Sequence, residues 1–297
     1  MAKSDQSVTL RCGNAVARVL LHGAELVSYC DRDGREYIWQ GDPAVWDQHA
    51  PVLFPMCGHA LENQVTYASG TYPMPVHGFA HSADFSVYQQ EEASVDLLLT
   101  ASERTRAAFP FDFALHVIYS ITEYGFITRF TVENRSGDDM PFCIGGHPGL
   151  NIAFRDDIPE SRCRLKFDVP VSPDLDIVIE GGYLEGKQRL AEIENGVLLP
   201  LTHTMIQSRD TLLFSDIASR AVTLTGSDGF ALRMTYGSFP HLAVWTSGAQ
   251  DADYVCLEPW YGLPGSPSRS ARLEDTPGAV VLAPGRVFTD FFTVQKA

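Results

Sequence analysis

The chain has 297 residues, 45% hydrophobic and 20% charged, which is the make-up of a globular protein with ample material for a core. Its formal net charge of −15, from 37 acidic against 22 basic residues, argues against nucleic acid and anionic membrane surfaces as partners and favours neutral small molecules. The six cysteines form no CxxC pair and read as buried free thiols, Met1 to Gln6 carry no apolar leader, and no run approaches a membrane span, so the expected location is the cytoplasm.

In chain order, the first period-two segments are Ser7 to Cys12, Ala15 to Leu21 and Glu36 to Gln40. Two histidine-bearing stretches follow, Phe54 to Asn63 with His59, and Pro75 to His81 with His77 and His81. Their spacings are not those of zinc ligands, and Pro75 and Gly78 oppose the helix that would place His77 and His81 on one face, so no metal is expected. Ser94 to Thr100 is the next strand candidate. The clearest is Phe113 to Ile121, where Phe113, Leu115, Val117, Tyr119 and Ile121 share one face. Glu123-Tyr124-Gly125 reads as a hairpin turn into a second strand carrying Phe126, Thr128, Phe130 and Val132.

Then comes Ile144-Gly145-Gly146-His147-Pro148-Gly149, in which a histidine precedes a proline and follows two glycines that let a ligand approach the backbone. Cys163 to Val169, Ala221 to Thr225, Phe230 to Tyr236, Leu242 to Thr246 and Val287 to Val294 complete the strand candidates. Asp174 to Asn195 is polar and weakly patterned, and reads as a surface excursion. Arg104 to Ala108 and Leu273 to Asp275 are too short or broken for substantial helices. Many short strands with glycine and proline between them mean an all-β sandwich or barrel, here one domain over residues 1–297. Its sheet edges need protection, which a homodimer or the loops of a monomer could supply.

The most informative segment is Cys256-Leu257-Glu258-Pro259-Trp260-Tyr261-Gly262. Proline holds the residue before it extended, so Glu258 should project from the end of a buried strand beside the Trp260 indole. No GxSxG elbow, Walker loop or GxGxxG fingerprint occurs, which leaves proton transfer by histidine and glutamate without a cofactor. Each of these residues also has a plainer reading. Glu258 could be a hydrogen-bonded strand-end carboxylate and His147 a turn histidine, while Trp46, Phe79 and Trp260 could stack on a sugar or fill the core. His116 and His241 read as satisfied strand residues, and His22, His49 and His203 as structural or exposed.

Taken in order, Gly23-Ala24-Glu25-Leu26, Ile38-Trp39-Gln40-Gly41-Asp42, Ala50-Pro51-Val52-Leu53-Phe54-Pro55, His77-Gly78-Phe79-Ala80, Gly146-His147-Pro148 and Leu257-Glu258-Pro259-Trp260-Tyr261-Gly262 resemble the aldose 1-epimerases, or galactose mutarotases, in their LacX-like branch. The resemblance covers nearly the whole chain. It implies a large antiparallel β-sandwich with a small-molecule sugar in a cleft on one sheet. It also implies Glu258 as base, His147 as acid, His77 at the ring oxygen, and Asp210 on sugar hydroxyls.

Two positions depart from the family pattern, His59 after the glycine of the FPxxGR segment and His81 at the end of HGFAR, where relatives carry arginine. A second arginine of the galactose mutarotases falls near Asn63. Histidine lacks the fixed fork and permanent charge of arginine, which favours a neutral hexose over a hexose 6-phosphate and leaves a non-catalytic sugar-binding protein as the alternative.

Overall fold

The computed structural model describes residues 6–154, 163–248 and 252–297, so Met1 to Asp5 lie outside it. Two large sheets carry the fold, and all their strand pairs are antiparallel. The nine-stranded sheet runs Leu198–Pro200, Arg164–Phe167, Ala221–Thr225, Ala231–Tyr236, Val287–Lys296, Gly125–Asn134, Phe113–Ile121, Ser94–Thr100, Ser86–Gln90. The last strand of the chain thus lies in mid-sheet, between Ala231–Tyr236 and Gly125–Asn134. The hairpin expected around Glu123 is present, with Phe126 opposite Ile121. Gly125 is needed there, because a Cβ would stand 2.4 Å from the Val294 carbonyl oxygen of the neighbouring strand.

The eight-stranded sheet runs Tyr183–Arg189, Asp174–Ile179, Leu212–Phe214, His241–Trp245, Tyr254–Tyr261, Ile144–Gly146, Val52–Leu53, and Gly149–Asn151 also pairs with Tyr254–Tyr261. Ser7–Cys12, Ala15–Leu20 and Leu26–Cys30 form a separate three-stranded sheet. The large sheets pack face to face through one apolar cluster, as in a sandwich. Phe167 of the first meets Phe214 of the second at 5.1 Å between ring centroids. Gly146 lies so close under Phe292 that a Cβ would meet its ring at 2.5 Å. This is the large antiparallel β-sandwich that the sequence leads one to expect.

Two expectations need correction. Glu36 to Gln40 is not a strand but makes isolated bridges, Glu36 with Cys30 and Ile38 with Leu150. The Glu36 carboxylate accepts from the Tyr29 and Ile38 amides at 2.8 and 2.9 Å, so a side chain replaces part of a backbone ladder. Asp174 to Asn195 is no irregular excursion. It holds the hairpin Asp174–Ile179 and Tyr183–Arg189 at the edge of the eight-stranded sheet, anchored by buried Leu175 and Leu184. Exposure of Glu185 to Arg189 hides the alternation in the outer strand.

Candidate active site

Glu258 sits in the middle of the fully pleated strand Tyr254–Tyr261, opposite Ala243, and is buried. On the other side of this strand the ladder is broken. Gly149–Asn151 pairs with it up to Cys256, and Ile144–Gly146 resumes the pairing at Trp260. His147 and Pro148 fill the interval, joined to it by one long bond from the Leu257 amide to the Pro148 carbonyl at 3.4 Å. A proline on each side, Pro148 and Pro259, stands where no ladder bond is made, which is the tolerated place for a residue without an N–H. The break places His147 beside Glu258, with His147 Nε2 3.2 Å from Glu258 Oε2.

The His147 ring is fixed by aromatic neighbours, Trp46 at 5.2 Å, His77 at 5.4 Å and Trp245 at 5.6 Å between centroids. His77 has positive φ, followed by Gly78, whose Cβ would stand 2.2 Å from the Phe54 carbonyl oxygen. A side chain at Gly78 would push the loop off this strand end. His77 and Gly58 clamp each other. The Gly58 amide donates to His77 Nδ1 at 3.1 Å, and the His77 amide donates to the Gly58 carbonyl at 2.9 Å. With Nδ1 accepting, the proton of neutral His77 lies on Nε2.

These groups line one cleft of about 340 Å³, together with Trp46, Gln48, Gly58, His59, Val178, Gly182, Asp210, Thr211, Leu213, Trp245, Trp260 and Pro264. That volume suits a small ligand. Among the described residues, no arginine or lysine lines it. His147 Nδ1 is buried there without a hydrogen-bond partner, and Glu258 Oε2 is satisfied by nothing better than the 3.2 Å approach of His147 Nε2. Polar atoms held dry and unpaired at a cavity wall mark a place prepared for a ligand.

Burial dominates the electrostatics. It pushes the Glu258 carboxyl well above its usual range, with the Trp260 indole opposing the rise and Asp210 adding to it. It lowers His147 to about 3, and holds His77 well below its ordinary value, His147, His81 and His59 adding to the effect. His59 is also lowered by burial, with Asp210 opposing. Burial thus favours the uncharged form of each of these groups in the ligand-free cleft.

Of the residues singled out from sequence, Glu258, His147, His77, His59, Asp210 and Trp260 meet at this cleft. Asn63 does not. It is exposed at the end of a short turn, where positive φ at Glu62 and Asn63 bends the chain away, and its carbonyl accepts from the Met74 amide. His81 also lies outside the lining, half-buried behind Gly23. Phe79 packs with Phe54, Phe109 and Phe113 in the core. His241 has both ring nitrogens engaged, by the Asp216 amide and the Pro277 carbonyl, and His116 binds Asp96. Gln48, Thr211, Trp245, Val178 and Gly182 were not singled out. Only the Gly181-Gly182 pair gave a signal, as a turn.

A model of the aldose 1-epimerase family matches residues 6–294. The chain is 30% identical over 270 residues to the chromosomally encoded protein LacX of Lactococcus lactis subsp. lactis, covering 88% of this chain and 90% of that one. It is similar in structure to a galactose mutarotase-like protein from Lactobacillus casei, with TM-score 0.90 and 27% identity over 98% of this chain and 100% of that one. A galactose mutarotase related enzyme from Lactobacillus acidophilus superposes with TM-score 0.88 and 27% identity, over 98% of this chain and 97% of that one.

Proposed function

The chain belongs to the aldose 1-epimerase family, and on that footing we propose that it interconverts the α and β anomers of a neutral hexose or related free sugar by general acid and base catalysis without a cofactor. The observation that carries this reading is the buried Glu258 and His147 pair, 3.2 Å apart on the cleft wall, with His147 Nδ1 left without a partner. Mutarotation removes the proton of the anomeric hydroxyl and delivers one to the ring oxygen. The ring opens, C1 rotates, and closure reverses both transfers. Glu258 takes the anomeric proton in opening and His147 gives one to the ring oxygen, with roles exchanged in closure.

In this mechanism the pair shares one transferable proton, the number the exchange needs. Burial raises Glu258 and lowers His147, which favours that proton on Glu258 before sugar enters. A bound sugar supplies a hydrogen bond to each charge as it forms, which favours transfer of the proton to His147 and readies the carboxylate as base. His77 donates from Nε2 to the ring oxygen, Asp210 accepts from sugar hydroxyls, His59 contributes a neutral polar contact, and Trp260 faces the apolar side of the ring.

Freshly dissolved α-D-glucose and α-D-galactose, followed by polarimetry or NMR, test the reading. Wild type should accelerate equilibration, and Glu258→Gln should lower kcat by roughly 10²- to 10⁴-fold. Equal turnover by wild type, Glu258→Gln and His147→Ala would sink the mechanism. The second reading, a sugar-binding protein without catalysis, is favoured by His59 standing in the cleft where the family pattern has arginine. It predicts saturable binding with no acceleration. A cytoplasmic location is part of the proposal and is supported by thiols in no disulfide at Cys12, Cys30, Cys57, Cys143 and Cys256. No helix among the described residues is long and apolar enough to cross a membrane.

A further inference from the structure

Cys256 is a fully buried thiol that the proposed proton transfers leave unused. It stands two residues before Glu258 on the strand Tyr254–Tyr261, so both side chains project from the same face. The break in the ladder brings His147 to that face. One donor atom from each of His147, Cys256 and Glu258 lies within 4.8 Å of the others, and all three residues are buried. Donors around a tetrahedral zinc stand roughly 3.3–3.6 Å apart, so side-chain rotations of about an ångström would close the set.

We propose that His147, Cys256 and Glu258 form an inhibitory site for a thiophilic divalent cation, zinc foremost, whose fourth coordination position opens into the sugar cleft. The donor set selects the metal. One sulfur, one nitrogen and one carboxylate suit zinc, whereas magnesium and calcium take shells of oxygen that this wall does not offer. Charge fits as well. A thiolate and a carboxylate neutralise a divalent ion, and the imidazole binds uncharged, so the loaded site carries no net charge in dry surroundings. Trp39, Trp46 and Trp245 pack around Cys256 and its neighbours and exclude water from the buried side. The cleft is the entry path. His147 Nδ1 has no competing hydrogen-bond partner to give up, and Glu258 Oε2 has only its 3.2 Å approach to His147 Nε2, within the same donor set. The spacing of His59, His77 and His81 along the chain gave no hint of this set, because its members come from one strand and from a strand break far away in sequence.

Metal binding stands on this geometry alone, while inhibition rests on the proposed mutarotation, since the ion would occupy both proton-transfer groups. The test uses the full-length protein stripped with a chelator and titrated with Co²⁺. Wild type should develop a cobalt–thiolate band in the near ultraviolet, which Zn²⁺ abolishes. Cys256→Ala should lose the band and keep its mutarotation rate, while Cys57→Ala keeps the band. Zn²⁺ should inhibit wild type reversibly and the Cys256→Ala variant at least tenfold more weakly. If Cys256→Ala does not fold, the near-isosteric Cys256→Ser is read in the same way. Absence of the band in wild type, or a band or zinc inhibition unchanged by Cys256→Ala, overturns the site. A wild-type band without mutarotation of any sugar would keep the site and reject the proposed function; mutarotation without a band would do the reverse.

Discussion

Burial acts on Glu258 and His147 in opposite senses, and the difference is measurable as stability. His147 is lowered from its ordinary 6.5 to about 3, so between those values the unfolded chain binds a proton that the folded one refuses. Its contribution is whole above pH 6.5 and is lost as pH falls through that window, by about 2 kcal/mol at pH 5. In metal-free buffer, His147→Gln should therefore lose less stability than wild type between pH 7 and 5, as read by denaturant midpoints. Glu258 is raised, so its contribution is whole below the ordinary 4.5 and is lost as pH rises. Glu258→Gln should gain in Tm over wild type at pH 8 and lose that gain near pH 4. A Glu258→Gln variant no more stable at pH 8 than at pH 4, relative to wild type, would contradict the burial of an unpaired carboxyl. Both residues could be picked from the sequence because each precedes a proline, a signal that survives without knowing the fold.

Elements decide what the sequence could not show. The interrupted ladder that pairs His147 with Glu258 joins Tyr254–Tyr261 to two short strands, and no local pattern reveals which strands will be neighbours. The hairpin Asp174–Ile179 and Tyr183–Arg189 was hidden for another reason, since its edge strand Tyr183–Arg189 faces solvent and lacks the apolar alternation by which strands are recognised. Yet its turn matters to the cleft. Gly182 has φ +75°, and a Cβ there would stand 2.3 Å from His59 Cδ2. Gly182→Ala should displace the His59 ring and raise KM several-fold while kcat changes little, because Glu258 lies on Tyr254–Tyr261 and His147 in the break beside it, away from this hairpin. A fall in kcat with unchanged KM would show that the hairpin acts on the chemistry instead.

At the scale of the whole molecule, the strand-rich pattern made the all-β class readable, since period-two runs such as Phe113 to Ile121 report on pleated structure directly. Division of the strands between two sheets was not readable, because it depends on long-range pairing. Net charge was. With −15 overall and no arginine or lysine in the cleft among the described residues, a dianionic sugar meets repulsion that nothing permanently charged offsets. The kcat/KM for a hexose 6-phosphate should therefore lie at least about tenfold below that for the free sugar at low ionic strength and rise as salt screens the repulsion, while the free sugar shows no such trend. A preference for the phosphorylated sugar at low salt would reject this reading.

The broken ladder has a consequence for how such a protein can change. Reacting groups seated on interior strands are shielded from whatever happens at the rim, where the Gly181-Gly182 turn and the left-handed Asp210 present their atoms. Sugar preference and proton transfer then become separable traits. Swapping the rim turn between relatives offers a way to retune which hydroxyl pattern is accepted without rebuilding the catalytic floor.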